Sequence, residues 1–254
     1  MKKKILDLIR KGLLQNIFIG IYFIVLAAEC YCSFKGYDRY TRINYYVYRI
    51  YFRPLLLPIL FAVFLQQFIS RNHLYIIGAM IASCIADYLI ITYSVLYQWI
   101  GLGCYALSFI LLGLQVFKLE YFSFKTSKSA LFISLFFLIL YISTKEYFSE
   151  SHNLNISKKP LTYLYATSLA FLSTAILNLY FNNKSFNFKF ALVALFLLVL
   201  SNLSFDFSLY VLHRKHYSVD SLSGLSYGLY LFIFIRGLLR AKDKIMGTEY
   251  FNTI

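Results

Sequence analysis

The sequence predicts an all-α protein, a multi-pass membrane bundle of about eight transmembrane helices forming one integral-membrane domain over residues 1–254. Three observations carry this. Of the 254 residues, 60% are hydrophobic and only 14% are charged, whereas a soluble domain carries about a quarter charged residues. Apolar runs of about 20 residues, the length a bilayer's hydrocarbon core requires of a helix, recur from end to end. No linker rich in Gly, Pro or Ser divides the chain, and its mean hydropathy is +0.65.

The first span is placed at 12–33. Its basic start and small residues resemble a secretory signal, but Glu29 stands between the small pair and Cys30, so the segment is kept as a helix. The stretch "FKGYDRYTRINYYVYRIYFR" (34–53) reads as a loop whose tyrosines suit the membrane interface. The second span, 54–70, is taken to open at Pro54, where a missing N–H does no harm. Spans follow at 74–95, 99–117 and 129–147. The polar stretch "KEYFSESHNLNISKK" (145–159) then leads to Pro160 and a span over 160–181. The last two are placed at 188–212 and 221–240. With the N-terminus inside, the larger share of the 25 Lys and Arg residues lies on the inner side. The expectation is therefore a cell (inner) membrane protein with both termini cytoplasmic.

The net charge of +14 does not point to nucleic acid. The basic residues are scattered between apolar runs, as loops meeting anionic lipid headgroups would have them. Cys30, Cys32, Cys84 and Cys104 form no CxxC and have no His at metal spacing, and read as small buried hydrophobes. No metal or cofactor is expected: GxGxxG, P-loop, HExxH and GxSxG motifs are all missing.

The acids are more informative. Of 11 Asp and Glu residues, Asp7, Asp38, Glu120, Glu146, Glu150, Asp220, Asp243 and Glu249 fall in tails or loops. Glu29 ends the first span, Asp87 lies inside the third and Asp206 inside the seventh. An Asp at the centre of a spanning helix costs about 2.5–3.5 kcal/mol, so it marks a functional site by default; the plain alternative is a polar staple between helices. Ala79, Ser83 and Asp87 share a stripe at i, i+4 spacing. Asn202, Asp206 and Tyr210 do likewise, and Gly224 and Gly228 flank Tyr227 on a small-xxx-small face. These stripes are expected to enclose a polar pocket.

With these residues in place, the chain resembles the YhhN-like lysoplasmalogenase family of eight-span membrane proteins. "VLAAE" (25–29) is similar to the family's Ala-Glu end of span 1, and "YFRPLLLPIL" (51–60) to its Lys-Pro-Leu start of span 2, with Arg53 for Lys. "GAMIASCIADYLI" (78–90) resembles the Gly-Asp span, with Ala86 for Gly. "ALFLLVLSNLSFDFSLYV" (194–211) resembles the Ser-Asp span, and "LSYGLYLFIFIRGLL" (225–239) the Tyr-rich last span. The pattern departs at Ser108-Phe109, where the family has Ala-His, and at Tyr230-Leu231, where it has Ala-Gln. Its Ser-Asp step could also align with Ser201-Asn202, one turn before Asp206.

The resemblance implies hydrolysis of the vinyl ether bond of a lysophospholipid within the membrane. Protonating the β-carbon makes an oxocarbenium-like ion, which takes up water and collapses to aldehyde and alcohol. That needs a protonated carboxylic acid and a carboxylate, and the candidates are Asp87 and Asp206. Glu29, Arg53, Ser83, Asn202 and Tyr227 are the candidate substrate-binding residues, with Arg53 for a phosphate and Glu29 for a cationic headgroup or for Arg53. Two other readings stay open: a small proton-coupled transporter using Asp87 or Asp206, and a lipid-binding or lipid-sensing protein that has lost catalysis.

Overall fold

A computed structural model describes residues 2–35, 45–68, 73–91, 95–119, 128–151, 159–182, 189–206 and 217–252. Among them are eight helices: α1 (Lys2–Lys35), α2 (Tyr45–Phe68), α3 (Leu74–Ile91), α4 (Val95–Leu119), α5 (Lys128–Ser151), α6 (Lys159–Asn182), α7 (Lys189–Asp206) and α8 (Tyr217–Asn252). The fold is all-α.

Four helices contain stretches long and apolar enough to cross a membrane: Gly12–Lys35, Trp99–Lys118, Pro160–Phe181 and Ser218–Leu239. Three further apolar stretches, Tyr51–Phe64, Leu74–Ile90 and Lys189–Ser204, are shorter. Among the described residues there are thus fewer clear spans than the eight expected. Length is part of the reason: α3 and α7 have 18 residues each, about 27 Å of helix, just under a hydrocarbon core of about 30 Å. The outer faces remain strongly apolar, with Ile24 at 70%, Phe132 at 72% and Phe196 at 65% exposure. A belt of that kind suits lipid rather than water.

The helices close a circuit. α1 packs on α2, α2 on α3, α3 on α4, α4 on α6, α6 on α7, α7 on α8, and α8 returns to α1. Helix α5 packs on α6. Small residues let the backbones come together. Gly228 takes the side chain of Leu26 from α1, while Gly113 faces Phe171 of α6 and Gly237 faces Phe190 of α7. A Cβ at Gly101 would stand 3.2 Å from the Ala86 carbonyl oxygen, so α3 and α4 touch nearly backbone to backbone there.

Several hydroxyls on these faces are satisfied within their own helix or across a contact. Ser134, Ser168, Ser173 and Thr174 each donate to a carbonyl three or four residues back, a pairing that suits an apolar surround. Tyr22 donates to the Gly228 carbonyl at 2.7 Å and Ser221 to the Cys30 carbonyl at 3.0 Å, tying α1 to α8. Ser201 and Ser223 each donate to the other's carbonyl at 2.9 Å, tying α7 to α8.

The start of the second span differs from expectation. The stretch 34–53 was expected to be a loop ending at Pro54, but α2 begins at Tyr45 and carries both Pro54 and Pro58 inside it. A proline removes the N–H that would bond the carbonyl four residues back. For Pro58 that carbonyl belongs to Pro54, and the Cys84 thiol of α3 donates to it at 3.5 Å. A neighbouring helix thus fills the gap, which is how spanning helices tolerate proline. The consequence for the site is direct: Arg49 and Arg53 become helical residues one turn apart, rather than loop cations. Residues 36–44 lie outside the described residues, as do 207–212 at the end of the expected seventh span.

Candidate functional site: a buried Arg–Asp–Tyr cluster

Helix α3 puts Ala79, Ser83 and Asp87 on its buried face, all in the protein interior. Asp87 is 0% exposed. An ionised carboxylate there must be met by donors from every side, and three surround it. Arg53 of α2 donates Nε to Oδ1 at 2.9 Å. Tyr105 of α4 donates its hydroxyl to the same oxygen. Tyr227 of α8 donates to Oδ2 at 3.3 Å. The shell closes on itself, because Arg53 Nη2 also donates to the Tyr105 hydroxyl at 3.3 Å. The guanidinium carbon lies 5.0 Å from the centre of the Tyr227 ring, where the π face attracts a cation. Four helices therefore converge on one carboxylate, and every polar neighbour is a donor. That shell fits the ionised form.

Arg53, Tyr105 and Tyr227 also line a cavity of about 80 Å³, whose other walls include Phe109, Tyr165 and Leu198. Asp87 stands behind these three donors rather than on the wall itself. Asn202 of α7 also enters the wall, its Oδ1 accepting from the Tyr165 hydroxyl and its Nδ2 donating to the Leu198 carbonyl at 2.8 Å.

A second buried ion pair lies one turn along α2. Arg49 holds Glu29 of α1 through Nε at 2.9 Å and Nη2 at 2.7 Å, both on Oε1, with Ser33 also reaching that oxygen at 3.5 Å. Glu29 is 0% exposed, and its Oε2 has no hydrogen-bond partner among the described residues. The carboxylate rests against Gly224 of α8, where any Cβ would collide with it.

No family model, curated protein or solved structure matches the chain.

The candidates named from the sequence separate into groups. Arg53, Asp87 and Tyr227 come together in one cluster, and Asn202 shares their cavity. Glu29 pairs with Arg49 instead of Arg53 and does not line the cavity. Ser83 lies one turn from Asp87 and pairs with Ser108 of α4 at 2.7 Å. The backbone of Asp206 ends α7, but its side chain lies outside the described residues, as does Tyr210. Gly224 and Gly228 turn toward α1, not toward a pocket.

Sequence reading passed over Tyr105, Arg49 and Tyr165. One signal for Tyr105 was available: it sits deep in an apolar run, away from the interfaces where tyrosines usually gather. Arg49 was hidden by the misplaced helix start. Nothing in the sequence singles out Tyr165.

Proposed function

We propose that the chain is a membrane-embedded hydrolase that cleaves the vinyl ether bond of lysoplasmalogen-type lysolipids, releasing a fatty aldehyde and a glycerophospho-alcohol. In this reading the eight helices all cross or enter the bilayer. The single observation that carries it is the Asp87 carboxylate, buried behind two phenols that face an interhelical cavity. An acid kept at such cost in a chain so poor in acids calls for a use, and the resemblance to the lysoplasmalogenase family supplies the reaction.

The residues divide the work as follows. An acid protonates the β-carbon of the vinyl ether, and Asp206 is assigned this step, one helical turn past the cavity-lining Asn202. Water then adds to the oxocarbenium carbon. Its proton goes to the oxygen of Tyr105 or Tyr227 as that phenol's own proton passes to Asp87, so the carboxylate serves as general base through a phenol. Proton return and collapse of the hemiacetal release aldehyde and alcohol. Burial keeps bulk water from competing for these protons.

A second reading draws on the same shell. Because every neighbour donates to Asp87, the carboxyl has no proton of its own to give, and a chain lacking the second acid at the cavity would bind lysolipid without turnover. One experiment separates the two. Purified protein in detergent is incubated with vinyl-ether, alkyl-ether and ester lysolipids of equal chain length, while aldehyde release and lipid binding are measured. Aldehyde from the vinyl ether alone supports the hydrolase, and binding of all three without aldehyde supports the second reading. Failure to bind any of them removes both.

A further inference from the structure

The cavity's charge balance says which part of a lipid it can accept. Among its described lining residues Arg53 is the only Lys, Arg, His, Asp or Glu, and its charge is already met by Asp87 at 2.9 Å. Arg49, one turn away, is met by Glu29 at 2.7 Å. Among the described residues a phosphate brought here would find no uncompensated cation, and an unpaired charge in a buried site is costly.

What the walls do offer is neutral hydrogen bonding. The Arg53 guanidinium uses Nε and one Nη2 N–H on Asp87 and Tyr105, and its remaining N–H groups have no acceptor among the described residues. Asn202 spends one amide N–H on the Leu198 carbonyl and keeps a second. Ile90, Leu102 and Phe109 supply apolar surface alongside. Donors without net charge, set among hydrocarbon, match ether and hydroxyl oxygens.

We propose that the cavity binds the uncharged glycerol and ether oxygens of a single-chain lipid and leaves its phosphate outside. This deepens the lysolipid reading and rests on it for the class of ligand, but it concerns binding and does not depend on turnover.

The test uses the full chain in detergent with three probes of equal alkyl length: 1-O-alkylglycerol, 1-O-alkylglycerophosphocholine and 1-O-alkylglycerol 3-phosphate. Their saturated ethers cannot undergo vinyl-ether hydrolysis, so dissociation constants are read from concentration-dependent thermal stabilisation. The first two should bind within about threefold of each other and the anionic lipid no more tightly than either, because its phosphate stays outside. Tighter binding of the phosphate monoester, or no binding of the alkylglycerol, overturns the proposal. Asp87→Asn leaves Arg53 uncompensated and should shift the preference toward the anionic lipid by about tenfold or more. An unchanged order of affinities in a folded variant also overturns it. If the predicted order holds but the vinyl-ether analogue yields no aldehyde, hydrolysis is lost as a function while the neutral-ligand assignment stands.

Discussion

Removing either partner of the Arg53–Asp87 pair should cost far more than removing both. Asp87→Asn keeps size and hydrogen bonding, and the Tyr227 hydroxyl can rotate to accept from the new amide. What it removes is the only carboxylate paired with Arg53 among the described residues, the Arg53 side chain being 11% exposed. Arg53→Met makes the converse change, leaving a fully buried carboxylate with two phenols. Breaking a buried pair from one side costs about 3–5 kcal/mol, whereas replacing both charges by well-packed neutral groups is often near neutral. The single variants should therefore lower the unfolding midpoint by about 6–20 °C, at about 2–4 °C per kcal/mol for a chain of roughly this size. The double variant should recover most of that loss. The assay is thermal unfolding in detergent, followed with a thiol-reactive dye that reports exposure of Cys32 and Cys84. Losses that add to within about 0.5 kcal/mol would falsify the coupling, and with it the account of Asp87 as an ionised group held by Arg53.

Three further outcomes are expected. Gly224→Val should lower stability by about 1–3 kcal/mol through overpacking against Glu29, while Gly103→Ala, whose added Cβ would meet only Leu161 at 3.9 Å, should be close to neutral; equal midpoints for the two would refute the close α1–α8 contact. Cys84→Ala should cost about 0.5–1.5 kcal/mol by leaving the Pro54 carbonyl without its donor, and should cost nothing further in a Pro58→Ala background, where a backbone N–H is restored. A Cys84→Ala loss of the same size in both backgrounds would show that the thiol does not serve that carbonyl. Asp206→Asn should abolish aldehyde release from vinyl-ether lysolipid without unfolding the protein, and Asn202→Asp in that background should restore part of it if the carboxylate tolerates a move of one turn, about 5.4 Å; full activity of Asp206→Asn removes it from the mechanism.

The sequence by itself determined the helical class and much of where the helices lie. Apolar runs with polar ends need no tertiary information, and α6 spans Lys159–Asn182 where 160–181 was expected. It also flagged Glu29 and Asp87, because an acid in an apolar run is a local anomaly whose cost is calculable from the run alone. It misjudged α2, since Pro54 reads as a helix start, and nothing local tells that Cys84, 30 residues away, supports the Pro54 carbonyl that Pro58 leaves without an N–H. That error hid Arg49 and changed the expected partner of Glu29. Tyr227 was a candidate from its small-residue face, but only the tertiary structure picked Tyr105 from the 24 tyrosines and brought both to Asp87, across separations of 18 and 140 residues. The physical reason is that helical periodicity fixes which residues of one helix share a stripe, but says nothing about which stripe of another helix will face it. That pairing is settled by how the small residues let whole helices approach, and it exists only once the circuit of helices has closed.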